Sequence, residues 1–270
     1  MHYYVGLDIS DATTNLCLKD EFGTTIHEGV VPTNPHAIIS SVKSFGLPIE
    51  KIGMETGAKS NWLHLALSSH YNVACYNSWK VGKLISARGN KTDKNDAQVI
   101  VEIARLNCLS DVLNLEVHVK NQTAQEILTL TRARESTIQR SIDVYNQIRA
   151  IYKTHGHSLP HVKPECFAKL VSETVSQLPD LVALSVRALI IAYDPLQQSI
   201  RMMTQQIEML AKQDHNAQLL MTTPEVGPIT ALYFAGCIDD PKRFSEAKSV
   251  GSYFGLTPLD YSSGQHQHKG

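Results

Sequence analysis

Apolar residues recur along this chain in two rhythms, and the rhythm changes near residue 110. Before that point, short apolar runs alternate with amphipathic stretches. Residues 3–9 form a continuous apolar run of the kind that makes a buried strand. Residues 14–19 and 24–31 predict two more strands, with Glu21-Phe22-Gly23 as the turn between them. Ile38, Ile39, Val42 and Phe45 then follow a helical spacing, which Gly46 ends. A fourth strand is expected over 49–55, a second helix over 61–69 and a fifth strand over 72–77. From Asp93, the positions Ala97, Ile100, Val101, Ile103, Ala104 and Leu106 are helical again. A three-strand meander followed by alternating helices and strands predicts a mixed α/β sheet covered by helices.

Between about 119 and 213 the strand rhythm is absent. Ile138, Ile142, Tyr145 and Tyr152 share one helix face, with Arg132, Arg134, Arg140, Arg149 and Lys153 interspersed. Asp194 as N-cap and Pro195 at the first helical position predict the start of a further helix. It continues through Leu196, Ile200, Met203, Ile207 and Leu210, a 4-3-4-3 spacing. That row suits packing inside one subunit and equally a coiled-coil seam between two. His155-Gly156-His157 and residues 160–164 mark a break, and these histidines, lacking a helix register, read as loop. Residues 219–230 precede an apolar helix over 231–238 and resemble a helix-hairpin-helix turn, whose backbone N–H groups can meet a DNA phosphate. Such turns carry glycine on both sides of the apolar residue. Here Glu225 takes the first place, so a packing turn is the competing reading. These shifts divide the chain into an α/β domain over 1–112, a helical linker over 113–213 and an all-α C-terminal part over 214–270.

Composition narrows the function classes. A hydrophobic share of 43% with 19% charged residues describes a globular protein. The formal net charge of -1 gives no overall basic signature, so contact with DNA has to rest on local basic surface and bound metal. Five scattered cysteines without a Cys-x-x-Cys pair read as reduced thiols of a cytoplasmic protein. The N-terminus shows no secretory pattern, and no uncharged apolar stretch approaches the roughly 18 residues of a membrane span.

The candidate chemistry lies in four acids. Asp8 stands in the run Val5-Gly6-Leu7-Asp8-Ile9, and Glu55 ends the run Lys51-Ile52-Gly53-Met54-Glu55. A lone acid in an apolar strand is costly unless it is paired or solvated at the sheet end. Asp93 and Asp96 are three positions apart at a helix start, so they share one face. By themselves they could simply complement the helix dipole. Adjacent central strands could bring Asp8 and Glu55 beside them, making a hard-oxygen site suited to magnesium. Asp11 and Asp20 sit in turn-like contexts and are left out of that set.

The runs Val5-Gly6-Leu7-Asp8, Met54-Glu55-Thr56-Gly57 and Asn90-Lys91-Thr92-Asp93-Lys94-Asn95-Asp96-Ala97 resemble the DEDD-type transposases of bacterial insertion sequences, a group that includes Piv-type invertases. The downstream runs Thr223-Pro224-Glu225-Val226-Gly227, Phe244-Ser245-Glu246-Ala247-Lys248, Tyr253-Phe254-Gly255-Leu256-Thr257-Pro258 and Tyr261-Ser262-Ser263-Gly264 match the same group. The resemblance implies a RuvC-like, ribonuclease-H-like N-terminal domain in which Asp8, Glu55, Asp93 and Asp96 bind Mg2+ or Mn2+. It implies that Ser263, rather than its neighbour Ser262, is the nucleophile forming a phosphoserine link with DNA. It also implies homo-oligomers and a structured noncoding RNA encoded by the element.

The chain ends at Gly270, just past that serine, where family members continue through a lysine- and glycine-containing stretch. The expectation is a fragment with impaired or absent recombination. The alternatives are an inactive DNA-binding remnant and a RuvC-like junction nuclease, which needs the four acids and no serine. An actin-like ATPase is disfavoured because Ile9-Ser10-Asp11-Ala12 offers no glycine-rich phosphate loop.

Overall fold

The computed structural model describes residues 1–87, 93–109, 115–257, 260–263 and 266–269. It divides into two compact units, Met1–Gln122 and Thr123–Gly270.

The first unit is built on a six-stranded sheet. Its elements are β1 (Tyr3–Ile9), β2 (Thr13–Asp20), β3 (Thr25–Pro32), α1 (Pro35–Ser44), β4 (Ile49–Glu55), α2 (Ser60–Leu67), β5 (Val73–Tyr76), α3 (Ser78–Ala87), α4 (Asp93–Leu109) and β6 (Glu116–Val117). The strand order is β3-β2-β1-β4-β5-β6. β1, β2 and β3 form the expected antiparallel meander, whereas β4 lies parallel to β1 and β5 parallel to β4. This is the mixed sheet, opened by a three-strand meander, that the sequence pattern anticipated. The Asp20 carboxylate accepts hydrogen bonds from the Phe22 and Thr24 amides at 3.0 and 2.8 Å, so it fixes the first hairpin turn.

Strand alternation sends side chains to two cores. Val5, Leu7, Leu16, Leu18, Ile52 and Met54 pack beneath α1 and α2 with Ile38, Val42, Leu63 and Leu67. On the opposite face, Tyr4, Cys17, Ala74 and Tyr76 meet α3 and α4 through Val81, Ile85, Ala97, Ile100, Val101 and Ala104. Burial pushes the Cys75 thiol up to about 12, as it does the Cys17 thiol to about 11, so both are inert packing groups. α3 and β6 were not anticipated. The Ser78-Trp79-Lys80 opening of α3 is polar or exposed, which masks its apolar period, and two-residue β6 is set by pairing with β5 alone.

Among its described residues, the second unit is helical apart from a terminal two-stranded antiparallel sheet. It contains α5 (Gln122–Thr154), α6 (Pro164–Thr174), α7 (Asp180–Gln213), α8 (His215–Leu220), α9 (Pro228–Ile238), α10 (Ala247–Tyr253), β7 (Asp260–Ser263) and β8 (His266–Lys269). Asp194-Pro195 does not begin a helix. α7 runs unbroken across it for 34 residues, although Pro195 lacks the N–H of the helical ladder. Burial on both sides overrides the local signal: Tyr193 is locked among Phe167, Val171 and Val186, and Ile207 among Ile127, Ala217 and Leu232.

The same helix buries part of its apolar row. Ile207 is fully buried and Leu210 packs beside it, so at these positions the row is spent within the unit. A different row faces outward, with Leu181, Leu184, Ile191, Met202 and Met209 all more than half exposed. At the hairpin between α8 and α9, Glu225 has φ 68°, the left-handed region that glycine occupies without strain. The backbone therefore takes the glycine conformation of that turn without having a glycine there.

Candidate functional site at the carboxyl ends of the central strands

Backbone register and two glycines decide where the strand acids go. Leu7 pairs with Met54 across β1 and β4, and Asp8 and Glu55 follow each by one residue. The two residues therefore stand side by side at the ends of adjacent strands, whose backbones lie about 4.8 Å apart. Gly6 and Gly53 precede them by two positions and so share their face. A Cβ on Gly6 would stand 2.5 Å from the Val101 amide nitrogen and 2.9 Å from Val101 Cβ. One on Gly53 would stand 2.7 Å from the Tyr76 ring, 3.1 Å from Ala104 and 3.3 Å from Ile100. α4 thus lies directly on the backbone of β1 and β4, on the face that Asp8 and Glu55 share.

The direction of α4 completes the placement. Near its C-terminal end, Lys19 Nζ donates to Glu102 Oε1 at 2.6 Å and Arg105 reaches Glu102 Oε2 at 2.8 Å, beside the start of β1. Burial alone would raise the Glu102 pKa, but hydrogen bonds from Lys19 and Arg105 outweigh it and hold the carboxyl below its usual range. Ala97 abuts Gly6, so α4 runs antiparallel to β1 and its first turn lies at the end where Asp8 stands. Asp96, 8% exposed, is in that turn, and Asp93 is its first residue.

The structure therefore brings Asp8, Glu55 and the α4 N-terminus to one end and one face of the sheet. Asp8 and Glu55 are half-buried. Among the described residues no group of three His, Cys, Asp or Glu side chains is drawn tightly enough to hold an ion, and the side chain of Asp93 is outside that set. The donor chemistry still fits magnesium, which accepts a few carboxylates and keeps several waters. The residues 90–92 of the predicted motif lie outside the described residues.

Two cavities open on this end. Glu55 borders one of about 100 Å³ with Ser10, Asp11, Thr56 and Lys59. There the Lys59 ammonium stands 3.3 Å from the Asp11 carboxylate. Asp96 borders another of about 430 Å³ with Ser78, Trp79, Gly82, Lys83 and Ser86. Sequence reasoning passed over Lys59 and all of α3. The repeated Gly-x-acid spacing of Gly6-Leu7-Asp8 and Gly53-Met54-Glu55 is a signal that could have assigned the acids to the α4 face.

Ser263 is the last residue of β7 and pairs in register with His266, with Ser262 opposite Gln267. The run Tyr261-Ser262-Ser263 is therefore strand, and Gly264 lies outside the described residues. Ser263 belongs to the second unit and the four acids to the first.

Comparison with known proteins follows the same division. Residues 5–155 match a transposase domain profile, DEDD_Tnp_IS110, and residues 217–270 match the profile of the transposase IS116/IS110/IS902 family. The transposase for insertion sequence element IS1111A of Coxiella burnetii is 24% identical over 97% of this chain and 70% of its own length. The transposase for IS1328 of Yersinia enterocolitica is 25% identical over 66% of this chain, and the match spans about half, 52%, of that protein. Among solved structures, Thermus thermophilus RuvC in complex with a Holliday junction substrate aligns over 43% of this chain and 100% of its own, at 14% identity and a TM-score of 0.32. Among the described residues no helix is long and apolar enough to cross a membrane. With the domain profiles spanning both units, the chain belongs to the IS116/IS110/IS902 family of transposases.

Proposed function

We propose that this transposase cuts and rejoins DNA strands of a bacterial insertion sequence, with Asp8, Glu55, Asp93 and Asp96 holding Mg2+ or Mn2+ and Ser263 attacking the phosphodiester. The observation that carries this reading is the convergence of Asp8, Glu55 and the α4 N-terminus on one face of the sheet end. Paired magnesium ions would supply activation of the attacking oxygen and stabilisation of the leaving one. The acids orient that chemistry and, once neutralised, admit a phosphate that four bare carboxylates would repel. Ser263 gives its hydroxyl proton to solvent as Oγ bonds to phosphorus, the bond from phosphorus to the sugar oxygen breaks and that oxygen takes up a proton, and attack by a strand hydroxyl reverses the exchange.

Three finer points belong to this proposal. The chain is divided functionally into a metal-binding domain over 1–112, a helical linker over 113–213 and a serine-bearing part over 214–270. A second copy of the chain docks along the outward row of α7 (Leu181, Leu184, Ile191, Met202 and Met209), whose steps of three, seven and eleven residues suit a helical seam. An element-encoded noncoding RNA directs the choice of DNA.

The test is covalent trapping. With magnesium and a DNA substrate drawn from the flanks of the element, the parent chain is expected to form a denaturation-resistant protein–DNA adduct, and Ser263→Ala none. Cleavage that survives in Ser263→Ala would replace this reading with a RuvC-like junction nuclease. DNA binding without any magnesium-dependent chemistry would replace it with a binding remnant.

A further inference from the structure

The helix after β5 carries a feature that the proposed chemistry does not use. Trp79, in the first turn of α3, is 67% exposed. One turn on, Lys83 holds its ammonium 3.5 Å from the centroid of that indole, so one face of the ring already carries a cation. The ring is borne on a firmly fixed turn. The Asn77 side-chain oxygen caps α3 by accepting from the Lys80 amide at 3.1 Å. The Ser78 amide donates to Thr56 Oγ1 at 3.2 Å, and Thr56 is the residue after Glu55. Further along α3, Val81 and Ile85 bury against α4. Trp79 is therefore tied to the same strand end as the acids, and it shares the 430 Å³ cavity with Asp96. That volume falls in the range of ligand pockets, roughly 300–1,000 Å³.

We propose that Trp79 is a stacking platform for an unpaired nucleobase of the DNA strand under attack, with Lys83 meeting the phosphate beside that base. The inference rests on the reading of the acids as the cleavage site, and it adds the state of the substrate that the site accepts. A base freed from the duplex at the cut needs a flat π surface, and an exposed indole offers one to any base. A cation on the α3 side gives the phosphate next to that base a partner of opposite charge. The competing reading is a helix-surface Trp–Lys contact with no ligand.

The experiment uses the full chain in a Glu55→Gln background, so that bound strands are not cut. The sequence holds two tryptophans, and the other is Trp62 in α2, so Trp62→Phe leaves Trp79 as the single indole reporter. Addition of a mixed-sequence single-stranded DNA oligonucleotide is expected to quench its fluorescence. By anisotropy of the labelled strand, Trp79→Ala should bind roughly 5- to 150-fold more weakly. Trp79→Phe should keep most of the affinity, and Lys83→Gln should lose less and show a shallower salt dependence. Abasic sites in the strand should weaken the parent and leave Trp79→Ala unchanged. Binding by Trp79→Ala equal to the parent, with its circular dichroism melt unaltered, overturns the platform, as does an abasic penalty shared by both. Should Trp79→Ala not fold, Trp79→Gln, which also removes the ring, carries the same decision in the abasic series. Separately, cleavage by Glu55→Gln at the parent rate removes the metal-site reading, while an inactive Glu55→Gln with intact Trp79→Ala binding removes the platform alone.

Discussion

The two units hold their candidate groups by different means. In the first, the main chain does the positioning: Asp8 and Glu55 are fixed by strand register, and the face they share is fixed by two glycines pressed against α4. In the second, long helices are held by clusters of side chains, with Tyr193 and Ile207 anchoring α7 at two separate points. A one-residue slip in β1 or β4 would send an acid to the wrong face of the sheet. A change in the helical unit alters packing by degrees and leaves the direction of each helix intact. Backbone-set sites fail abruptly, and side-chain-set scaffolds fail gradually.

The comparison can be broken most decisively at the acids. Glu55→Gln is expected to lower magnesium-dependent strand cleavage by at least about 100-fold, the scale of losing one element of charge stabilisation. Thermal melting should stay level or rise, because one carboxylate of a repelling pair is gone. A drop in melting temperature together with lost cleavage would instead make Glu55 a fold residue.

Next comes the close approach of strand and helix. Gly6→Ala sets a methyl against backbone atoms of α4 that no rotamer can relieve, and should cost about 3 kcal/mol in urea unfolding. A loss below about 1 kcal/mol would mean that α4 is not seated on β1 as described.

The helical unit should tolerate, and even gain from, changes at its irregular points. Pro195→Ala restores a ladder hydrogen bond within α7 and should stabilise by about 2 kcal/mol, the helix-interior penalty of proline less its unfolded-state benefit. Destabilisation would show that the proline shapes α7 usefully. The smallest effect is at the α8–α9 turn, where Glu225→Gly relieves a left-handed non-glycine residue and should gain about 1 kcal/mol. The same variant should tighten DNA binding if that turn meets a phosphate, and a filter-binding titration would read it.

Legibility in the sequence followed the range of the interactions involved. β1 and β4 were visible with their bounds, because the apolar stretches at 3–7 and 52–54 report burial. Asp8 and Glu55 stood out as acids at the ends of those stretches. α3 escaped because Trp79, Lys80 and Lys83 point outward and hide its period. Asp194-Pro195 misled because an N-cap and a first-turn proline are local signals, while continuity of α7 comes from partners far away in sequence. The row from Leu196 to Leu210 could not be assigned inward or outward from spacing alone, since both faces of α7 carry apolar residues.

What the sequence determined alone was the order of β1 to β5 and of α1, α2 and α4 in the first unit, the choice of four candidate acids, and the motifs that match the family. Those follow from local periodicity and residue chemistry, which need no partner to be read. Only the tertiary structure decided which face Asp8 and Glu55 share, that α7 passes through its proline, and that its apolar row is spent inside at Ile207 and Leu210. Each of those depends on what packs opposite, and a strand or helix face has no inside until a second element covers it.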